Sequence, residues 1–274
     1  MNTNHLRRSC RRLAGVLLAA LGSHAATAAP TAADTADAAL STDRPDFVES
    51  SDVVGPGHVQ LETGATWTRD AHPGVPRTIE LGTPTLLRWG LSPSLELRAE
   101  TDGLARTRIA GQATTRGMSD LSLGFKWHQQ DGNEDGRPGV AWLVDAALPS
   151  GSAEYRGQGV RPAVRAVAEW DLPHDFSIGV MPGIALDTRA DGHRFASGIL
   201  AVTLGRDLAP HWHGFLELAG QQLAAASDGG SVVTLDAGLA WAPRTDLQFD
   251  AAVFRGLTAT SPTLQAGAGL SWRY

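Results

Sequence analysis

Charged side chains recur at every second position within otherwise apolar segments of this sequence. Glu96, Arg98 and Glu100, for example, alternate with Leu97 and Ala99. Carboxylates interleaved with arginines can line an aqueous path and select solutes by charge, as rings of side chains do in pores. The same charges can instead form a salt-bridge network that fills the interior. The positions of this kind are Glu62, Glu80, Arg88, Glu96, Arg98, Glu100, Asp102, Asp120, Lys126, Asp145, Arg165, Glu169, Glu217, Asp236 and Asp250.

Alternation of apolar and polar residues with period two predicts that strands carry these charges. About twelve segments show it, with lengths near those of transmembrane β-strands. They are 57–68, 78–91, 94–102, 120–127, 140–148, 163–172, 176–186, 199–208, 212–220, 233–241, 247–254 and 264–274. A lipid-facing Arg or Lys costs about 2 to 4 kcal/mol at the midplane, so the charged face must line the lumen. We therefore predict an all-β fold, a closed antiparallel transmembrane β-barrel of about 12 strands.

The connections between the predicted strands fall into two classes. Four are short and hold Pro or Asp, and four are longer and richer in Gly and Ser. The short ones are 91–94, 171–175, 206–211 and 242–246, and the long ones are 69–77, 103–117, 149–159 and 224–231. Bacterial barrels have short periplasmic turns and longer extracellular loops. An even number of strands then leaves both ends of the barrel in the periplasm.

Most tryptophans lie beside the short turns or the C-terminus, on the apolar face. They are Trp89, Trp127, Trp170, Trp212, Trp241 and Trp272, whereas Trp67 lies at the opposite end of its strand. A shared level is typical of the aromatic girdle at a membrane interface. The general preference of Trp for strands explains their presence in strands but not their shared end.

Residues 1–28 have the features of a secretory signal peptide: four arginines, an apolar run at 13–21 and the small-residue site Ala26–Ala28. Cys10 is the only cysteine, so the exported protein has neither a disulfide framework nor a thiol site. Without these arginines the chain keeps about 19 basic and 29 acidic residues, a net charge near −10. That balance argues against nucleic acid as a partner.

The remaining chain divides into a flexible N-terminal leader, residues 29–56, and the barrel, residues 57–274. Within the leader, TDRPDFVESS at 42–51 is too polar and too interrupted by proline to belong to the wall. We predict that it folds against the lumen mouth, with Arg44, Asp46 and Glu49 pairing with wall charges. Plain disorder is the alternative.

The last strand, 264–274, alternates small or apolar residues with polar ones and ends in Tyr274. This pattern resembles the targeting signal of outer-membrane barrels, which indicates that the barrel-assembly machinery is a partner. The strand must also pair with the first one, because an open edge in lipid leaves backbone groups unsatisfied at several kcal/mol each.

The order of several motifs resembles the outer-membrane transporter-like family catalogued under the MetA pathway of phenol degradation. The motifs are STDRPDFVESS followed by GHVQLETG, then WGLSPSLELRAE, GMSDLSLGFKW, ALPSGS and FDAAVFRGLTATSPTLQAGAGLSWRY. Two positions depart from the family pattern: Thr263 replaces the usual acidic residue and Tyr274 the terminal Phe. The resemblance implies a roughly twelve-stranded barrel with a transport role, and it does not identify phenol as the solute.

Other chemistries have weaker support. The DGNEDG segment, 131–136, matches half of a calcium loop, but Trp142 stands where a bidentate Glu is needed, so a hairpin turn is the preferred interpretation. His211 and His213 lack further ligands nearby in sequence. No Gly-x-Ser-x-Gly or His-x-Ser arrangement supports a lipid hydrolase. We predict no metal, no cofactor and no enzymatic activity. A soluble ligand-binding barrel would need its polar face outside.

These features predict a passive channel of the Gram-negative outer membrane, in contact with its lipid. Small solutes would pass through it, with aromatic or other hydrophobic compounds as candidates. The alternatives are a barrel enzyme that acts on lipid and a non-conducting structural barrel.

Overall fold

The computed structural model describes residues 40–189 and 191–274. The predicted signal peptide, 1–28, and the leader residues 29–39 lie outside this range. Among the described residues there is no helix with the length and apolar character that a membrane crossing needs. The strands are β1 (Val59–Asp70), β2 (Thr78–Gly82), β3 (Thr85–Ser92), β4 (Leu95–Thr101), β5 (Leu104–Ile109), β6 (Thr115–Met118), β7 (Leu121–Gln130), β8 (Gly139–Leu148), β9 (Arg161–Leu172), β10 (Phe176–Thr188), β11 (Arg194–Ala209), β12 (Trp212–Leu223), β13 (Val232–Arg244), β14 (Leu247–Gly256) and β15 (Leu264–Arg273).

The strands form one antiparallel sheet that closes on itself. β1 pairs with β15, with Ala65 opposite Ala268, and the backbones of Val59 and Tyr274 exchange two hydrogen bonds. The segments β2 and β3 run in line along β1, and β4 with β5 and β6 with β7 continue one another in the same way. The fifteen segments therefore make twelve strands, which confirms the predicted closed barrel.

The expectation of one long loop at 103–117 was wrong, because β5 and most of β6 lie within it and only 110–114 connects the two strands. The outward side chains of β5 include Arg106 and Arg108, both exposed. An apolar outer face is needed only within the bilayer. The polar outer face of this extension is consistent with a level beyond the apolar band, where the hydrophobic pattern of a strand disappears.

The two faces of the wall differ as the alternation predicts. Large apolar side chains point outward, among them Leu216, which is 59% exposed, and Leu97, which is 41% exposed. Inward neighbours are polar and buried: Glu217 and Glu96 are 1% and 0% exposed. This inside-out arrangement is the one that a lipid environment stabilises, because charge is kept off the lipid face.

The two ends of the barrel differ in their connections. One end, here the short-turn end, carries the turns 93–94, 173–175, 210–211 and 245–246 together with the connection 131–138. The other, the long-loop end, carries 71–77, 110–114, 149–160, 189–193, 224–231 and 257–263, with a 3₁₀ turn at Ala226–Asp228. The DGNEDG segment is thus the β7–β8 connection at the short-turn end.

Tryptophans lie on the outer surface near the short-turn end. Trp89, Trp127, Trp212, Trp241 and Trp272 are between 40% and 49% exposed, and Trp170 is half-buried. Trp212 stacks on Trp241 with ring centroids 5.9 Å apart. Trp142, opposite Trp127 on β8, belongs to the same belt.

Candidate functional site

Residues 41–54 enter the barrel from the short-turn end and return to it, and we call them the inserted loop. At its start, the Ser41 carbonyl accepts a hydrogen bond from the Gln60 side chain at 2.8 Å, and at its end the Val54 N–H donates to Glu96 at 2.9 Å. The loop has no ladder of its own. Its buried N–H groups need acceptors elsewhere, because an unpaired one destabilises the fold. Wall carboxylates supply several of these acceptors.

Asp43 is the most highly connected side chain of the inserted loop. Lys126 Nζ lies 2.8 and 2.9 Å from its two carboxylate oxygens, and Arg98 Nη1 lies 2.5 Å from Oδ2. Arg88 Nη1 approaches the same oxygen at 3.5 Å. One loop carboxylate therefore sits among three wall cations from β3, β4 and β7.

Arg88 lies at the centre of this cluster and is fully buried. Its guanidinium binds Glu96 in a bidentate manner at 2.8 and 3.0 Å, and Glu62 at 3.1 Å. It also donates to the loop carbonyls of Ser41 and Asp52, at 3.0 and 2.9 Å. Removing one partner from a buried ion pair of this kind destabilises the fold by about 3 to 5 kcal/mol, because the other charge stays buried without compensation.

Glu49 extends the cluster towards the next strands. Its carboxylate pairs with Arg98 Nη2 at 2.7 Å and with Arg165 Nη1 on β9. Arg165 also binds Asp145 of β8 at 2.7 Å. Four wall cations, Arg88, Arg98, Lys126 and Arg165, thus contact loop carboxylates, and we call them the cationic wall.

The opposite side of the lumen is acidic. Asp250 of β14 receives a bidentate pair from Arg44, at 2.9 and 3.2 Å. Glu217 of β12 accepts the backbone N–H groups of Phe47 and Val48 at 2.9 and 2.7 Å. Its cross-strand neighbour Asp236 also points inward, and within the described part of the chain neither Glu217 nor Asp236 has an ion pair. The inserted loop therefore presents carboxylates to the cationic wall, and a guanidinium and backbone N–H donors to the acidic side.

An apolar patch between these two sides receives Val48. Its buried members are Ala141, Leu143, Val167, Met181, Ala201 and Ala219, with Phe47 packed at the edge. A Cβ added at Gly179 would come within 2.9 Å of the Val48 side chain, so the wall approaches the loop closely there. Burying Val48 contributes about 1.5 to 3 kcal/mol.

At the level of the inserted loop the barrel is filled. Inward side chains from all sides, including Glu62 on β1, Lys126 on β7, Leu143 on β8, Met181 on β10 and Ser271 on β15, are at most 1% exposed. Twelve strands lie between the eight that side chains just fill and the 16 to 18 that leave a channel. Here the loop supplies the volume that the wall alone lacks.

Above the loop, towards the long-loop end, the lumen opens into a cavity of about 540 Å³, which we call the vestibule. Its floor is the loop apex, 43–47. Its wall includes Thr66, Thr68, Glu80, Glu100, Asp102, Gln221, Phe254 and Gln265. Among the residues with described positions, no cation lies within ion-pair distance of Glu80, Glu100, Asp102 or Asp46.

The two acidic residues of the loop apex have opposite titration behaviour. Burial raises the pKa of Asp43, but Arg88, Lys126 and Arg98 outweigh it, so that the pKa lies well below the ordinary range. The pKa of Asp46 is raised well above that range, by burial and by the nearby carboxylates of Glu217, Glu169 and Asp43. The ionised form of Asp43 therefore favours docking of the loop, whereas the ionised form of Asp46 opposes it.

The structure distributes the remaining predicted charges along the lumen. Glu169 accepts the Ser51 N–H, and the side chain of Glu80 is exposed in the vestibule, where it accepts a hydrogen bond from Thr107. Asp120 lies in the break between β6 and β7, not on a wall strand as predicted. It accepts hydrogen bonds from Arg161 and from the Gly151 and Gly157 N–H groups, all at 2.8 Å. These bonds lower its pKa despite burial.

Arg44 and Glu49 lie against wall charges, whereas Asp46 has no cationic partner among the residues placed by the structure. Sequence reasoning missed Asp43, Gln60 and the apolar patch around Met181. Asp43 lies within the TDRPDFVESS segment but carries no periodic signal, because the loop is irregular. Gln60 is an inward position of β1, which the alternation could have identified.

The histidines make isolated polar contacts. His128 Nδ1 lies 2.8 Å from the Ser51 carbonyl and Nε2 lies 2.9 Å from Asp131. His213 pairs with Asp207 at 2.9 Å. Within the described ranges no group of three or more His, Cys, Asp or Glu residues has the geometry of a metal site.

Known proteins resemble this chain in sequence and in fold. The sequence model of the family described as "Putative MetA-pathway of phenol degradation" matches residues 42–274, which includes the inserted loop from residue 42 onward. No curated protein sequence matches the chain at a significant level.

Several solved barrels share the fold at low identity. The COG4313 outer membrane channel from Pseudomonas putida F1 superposes with a TM-score of 0.61 at 12% identity, over 82% of this chain and 98% of that one. The KdgM porin in complex with disordered oligogalacturonate gives 0.51 at 10% identity, over 77% and 98%. The β domain of the Bordetella autotransporter BrkA gives 0.53 at 13%, over 78% and 98%. These likenesses establish the barrel fold alone.

Proposed function

Since the chain belongs to the MetA-pathway of phenol degradation family, matched over residues 42–274, and has the fold of outer-membrane channels, we propose that it is a channel for passive uptake of small solutes. In this proposal the chain lies in the outer membrane of a Gram-negative cell, and residues 1–28 are removed on export. The observation that carries the proposal is a charged lumen open as a vestibule at one end and closed at the other by a loop of the chain itself.

The inserted loop has the properties of a gate. It is joined to the wall covalently only through residues 55–58. Its contacts with the wall are ion pairs, hydrogen bonds to side chains and the apolar packing of Val48, not strand pairing. Wall strands in a closed barrel cannot leave without exposing backbone groups to lipid, where each unsatisfied group costs several kcal/mol. The loop leaves no such groups in lipid. Passage therefore requires the loop to move while the wall stays closed.

The vestibule favours solutes that combine an apolar body with hydrogen-bond donors. Phe47 and Phe254 line it, together with the carboxylates of Glu80, Glu100 and Asp102, which have no ion pair with any described residue. A hydroxylated aromatic compound fits both features, because its ring packs on the phenylalanines while its hydroxyl donates to a carboxylate. Aromatic compounds are therefore the first solutes to test.

A disulfide between the loop and the wall tests the gate directly. A Cβ added at Gly139 would lie 3.6 Å from the Cβ of Ser51, within the roughly 3.5 to 4.5 Å that a disulfide spans. The sequence after residue 28 contains no cysteine, so a Ser51→Cys, Gly139→Cys pair reacts only with itself. We expect the refolded protein to conduct in planar bilayers when reduced and to close when oxidised.

The two single-cysteine variants are the controls, and their conductance should not respond to oxidation. Barrel closure is checked for every variant by heat-modifiable gel mobility. Equal conductance of the oxidised and reduced double variant would contradict a moving loop. If neither the wild-type protein nor the reduced double variant conducts, the result would contradict the channel and favour a structural barrel. Release of acyl chains from labelled phospholipid would instead favour an enzyme.

A further inference from the structure

The cationic wall depends on the inserted loop for its counter-charges. Every hydrogen bond and ion pair of Lys126 within the described residues goes to the loop, to the Asp43 carboxylate and the Asp52 carbonyl. Arg98 has one wall partner, Glu96, beside its contacts with Asp43 and Glu49. Withdrawal of the loop therefore leaves the Lys126 ammonium without an ion-pair partner among the described residues. It also takes two carboxylates from Arg98 and one each from Arg88 and Arg165.

Wall cations that lose their loop carboxylates are stabilised by new anions that take the place of those carboxylates. Carboxylates suit it best, because the Arg98 and Arg165 forks present paired donors of the geometry that a carboxylate accepts. The loop satisfies this demand with two carboxylates, Asp43 and Glu49, that are held about the lumen by an otherwise irregular chain.

The contacts of the loop also indicate which other chemical groups a ligand in this part of the lumen needs. Between its carboxylates and the acidic side, the loop places Val48 on the patch formed by Leu143, Val167 and Met181. On the acidic side it supplies N–H donors to Glu217. The loop thus presents a carboxylate, an apolar group and a hydrogen-bond donor in that order across the lumen.

We propose that the inserted loop is a tethered occupant of a solute site, and that small organic acids with an apolar body and a donor group bind there by displacing Asp43 and Glu49. This deepens the proposed function and rests on it: the acid is both the solute and the agent that releases the gate. A solute and a loop that compete for one site are thermodynamically coupled, so that binding of the acid raises the population of the released loop.

Release of the loop can be followed without any conductance. Ser51 is 4% exposed, so a Ser51→Cys variant of the full mature chain reacts with a water-soluble thiol reagent only when the loop leaves the lumen. The probe is 4-hydroxybenzoate, which carries a carboxylate, a ring and a hydroxyl. Its methyl ester is the matched control, because it keeps the ring and the hydroxyl but not the charge. We expect the acid to accelerate modification at least about fivefold and the ester to have no effect.

Lys126→Gln identifies the site, because it removes the cation that depends entirely on the loop. In the Ser51→Cys background it should raise the basal rate and abolish the response to the acid. Arg106→Gln makes the same change of charge at an exposed position of β5 away from the loop and should leave the response intact. Lys126→Arg keeps the charge and should preserve the response, which separates loss of the site from loss of folding.

Equal acceleration by acid and ester, no acceleration by the acid, or a full response in Lys126→Gln would each overturn the proposal. The outcome is independent of the conductance test. Acid-specific release in a protein that never conducts would retain the site and remove the channel. Conductance gated by the disulfide without any effect of the acid would retain the channel and remove the site.

Discussion

The two levels of the lumen treat charge in opposite ways. At the level of the inserted loop, Arg88, Arg98 and Lys126 are buried and contact carboxylates at 2.5 to 3.5 Å. In the vestibule, Glu80 and Glu100 point into open space and have no ion pair with any described residue. The protein itself neutralises the charges at the level of the inserted loop, whereas solvent, ions or solutes in the cavity neutralise those of the vestibule.

This difference separates what holds the barrel from what meets the solute. Charges at the loop level are desolvated, so each depends on a specific partner and its loss is costly. Charges in the vestibule are solvated, so their interactions are screened and replaceable. Substitutions at the first level should change stability and gating, whereas those at the second should change only selectivity.

The largest effect should come from Arg88→Met. It leaves Glu62 and Glu96 buried without their main cation, so the free energy of unfolding should fall by about 3 to 5 kcal/mol. Urea titration monitored by heat-modifiable gel mobility measures it. Arg106→Gln, at an exposed position on β5, should stay within about 0.5 kcal/mol of wild type. Similar losses for both variants would contradict the distinction between the levels.

Asp43→Asn should act mainly on the loop. Truncating one partner of a buried charge pair costs about 2 to 5 kcal/mol. Since about 1.4 kcal/mol is a factor of ten in an equilibrium, modification of a cysteine at position 51 should accelerate roughly tenfold or more. Global unfolding in urea should change less than for Arg88→Met, because the wall cations keep Glu62 and Glu96. An unchanged modification rate would show that Asp43 does not hold the loop.

Asp46→Asn should have the opposite sign. The raised pKa of Asp46 means that the docked loop binds a proton more tightly than the released one. Docking is therefore strongest at low pH and weakens as pH rises from the ordinary carboxyl range, about 4, through the raised value. Asp43, whose pKa is lowered, stays ionised across that window. The neutral side chain should slow modification at neutral pH and flatten its dependence on pH.

That measurement needs a correction for the thiol itself, whose reactivity follows its own ionisation. Each rate is divided by the rate for the same cysteine in urea-unfolded protein at the same pH. Faster modification of Asp46→Asn than of its parent would show that Asp46 attracts the loop to the wall instead of opposing its docking.

Glu100→Gln should give the smallest effect on stability, within about 0.5 kcal/mol. Its side chain is exposed to the vestibule and has no ion pair among the described residues. Cation preference, read from the reversal potential across a salt gradient at about pH 9, where carboxyl groups are ionised, should nevertheless decrease, because one negative charge leaves the path. A large loss of stability would place Glu100 with the buried charges instead.

How much of this could be predicted from sequence differs between wall and loop. Period-two alternation identifies the wall strands and the inward direction of Glu96 and Glu217, because lipid outside and water inside impose that pattern at every second residue. The partners of those charges do not follow from it. The register that brings Lys126 opposite Glu96 is set by pairing between strands far apart in sequence.

The segment 42–51 is expected at the lumen mouth, but the individual contacts of the inserted loop escape prediction for a related reason. Its residues have no period, so nothing in TDRPDF distinguishes Asp43, which contacts three cations, from Asp46, which has no cationic partner in the described part of the chain. The choice between them depends on how the chain turns inside a space that only the finished wall defines. The in-line strand breaks at 83–84, 102–103 and 119–120 could not be predicted either. A strand whose outer face is polar beyond the bilayer has the same sequence pattern as a loop.

The contacts of the inserted loop also fix an order of events during biogenesis. Arg44 and Asp250 are 206 positions apart, and Phe47 and Glu217 are 170 apart, so these pairs cannot form before β12 and β14 have been laid down. Contacts between such distant residues form late in folding. The segment that precedes the first strand is therefore among the last to reach its place. The N-terminal segment can therefore seal the lumen only after strands near the C-terminal end of the chain have joined the wall.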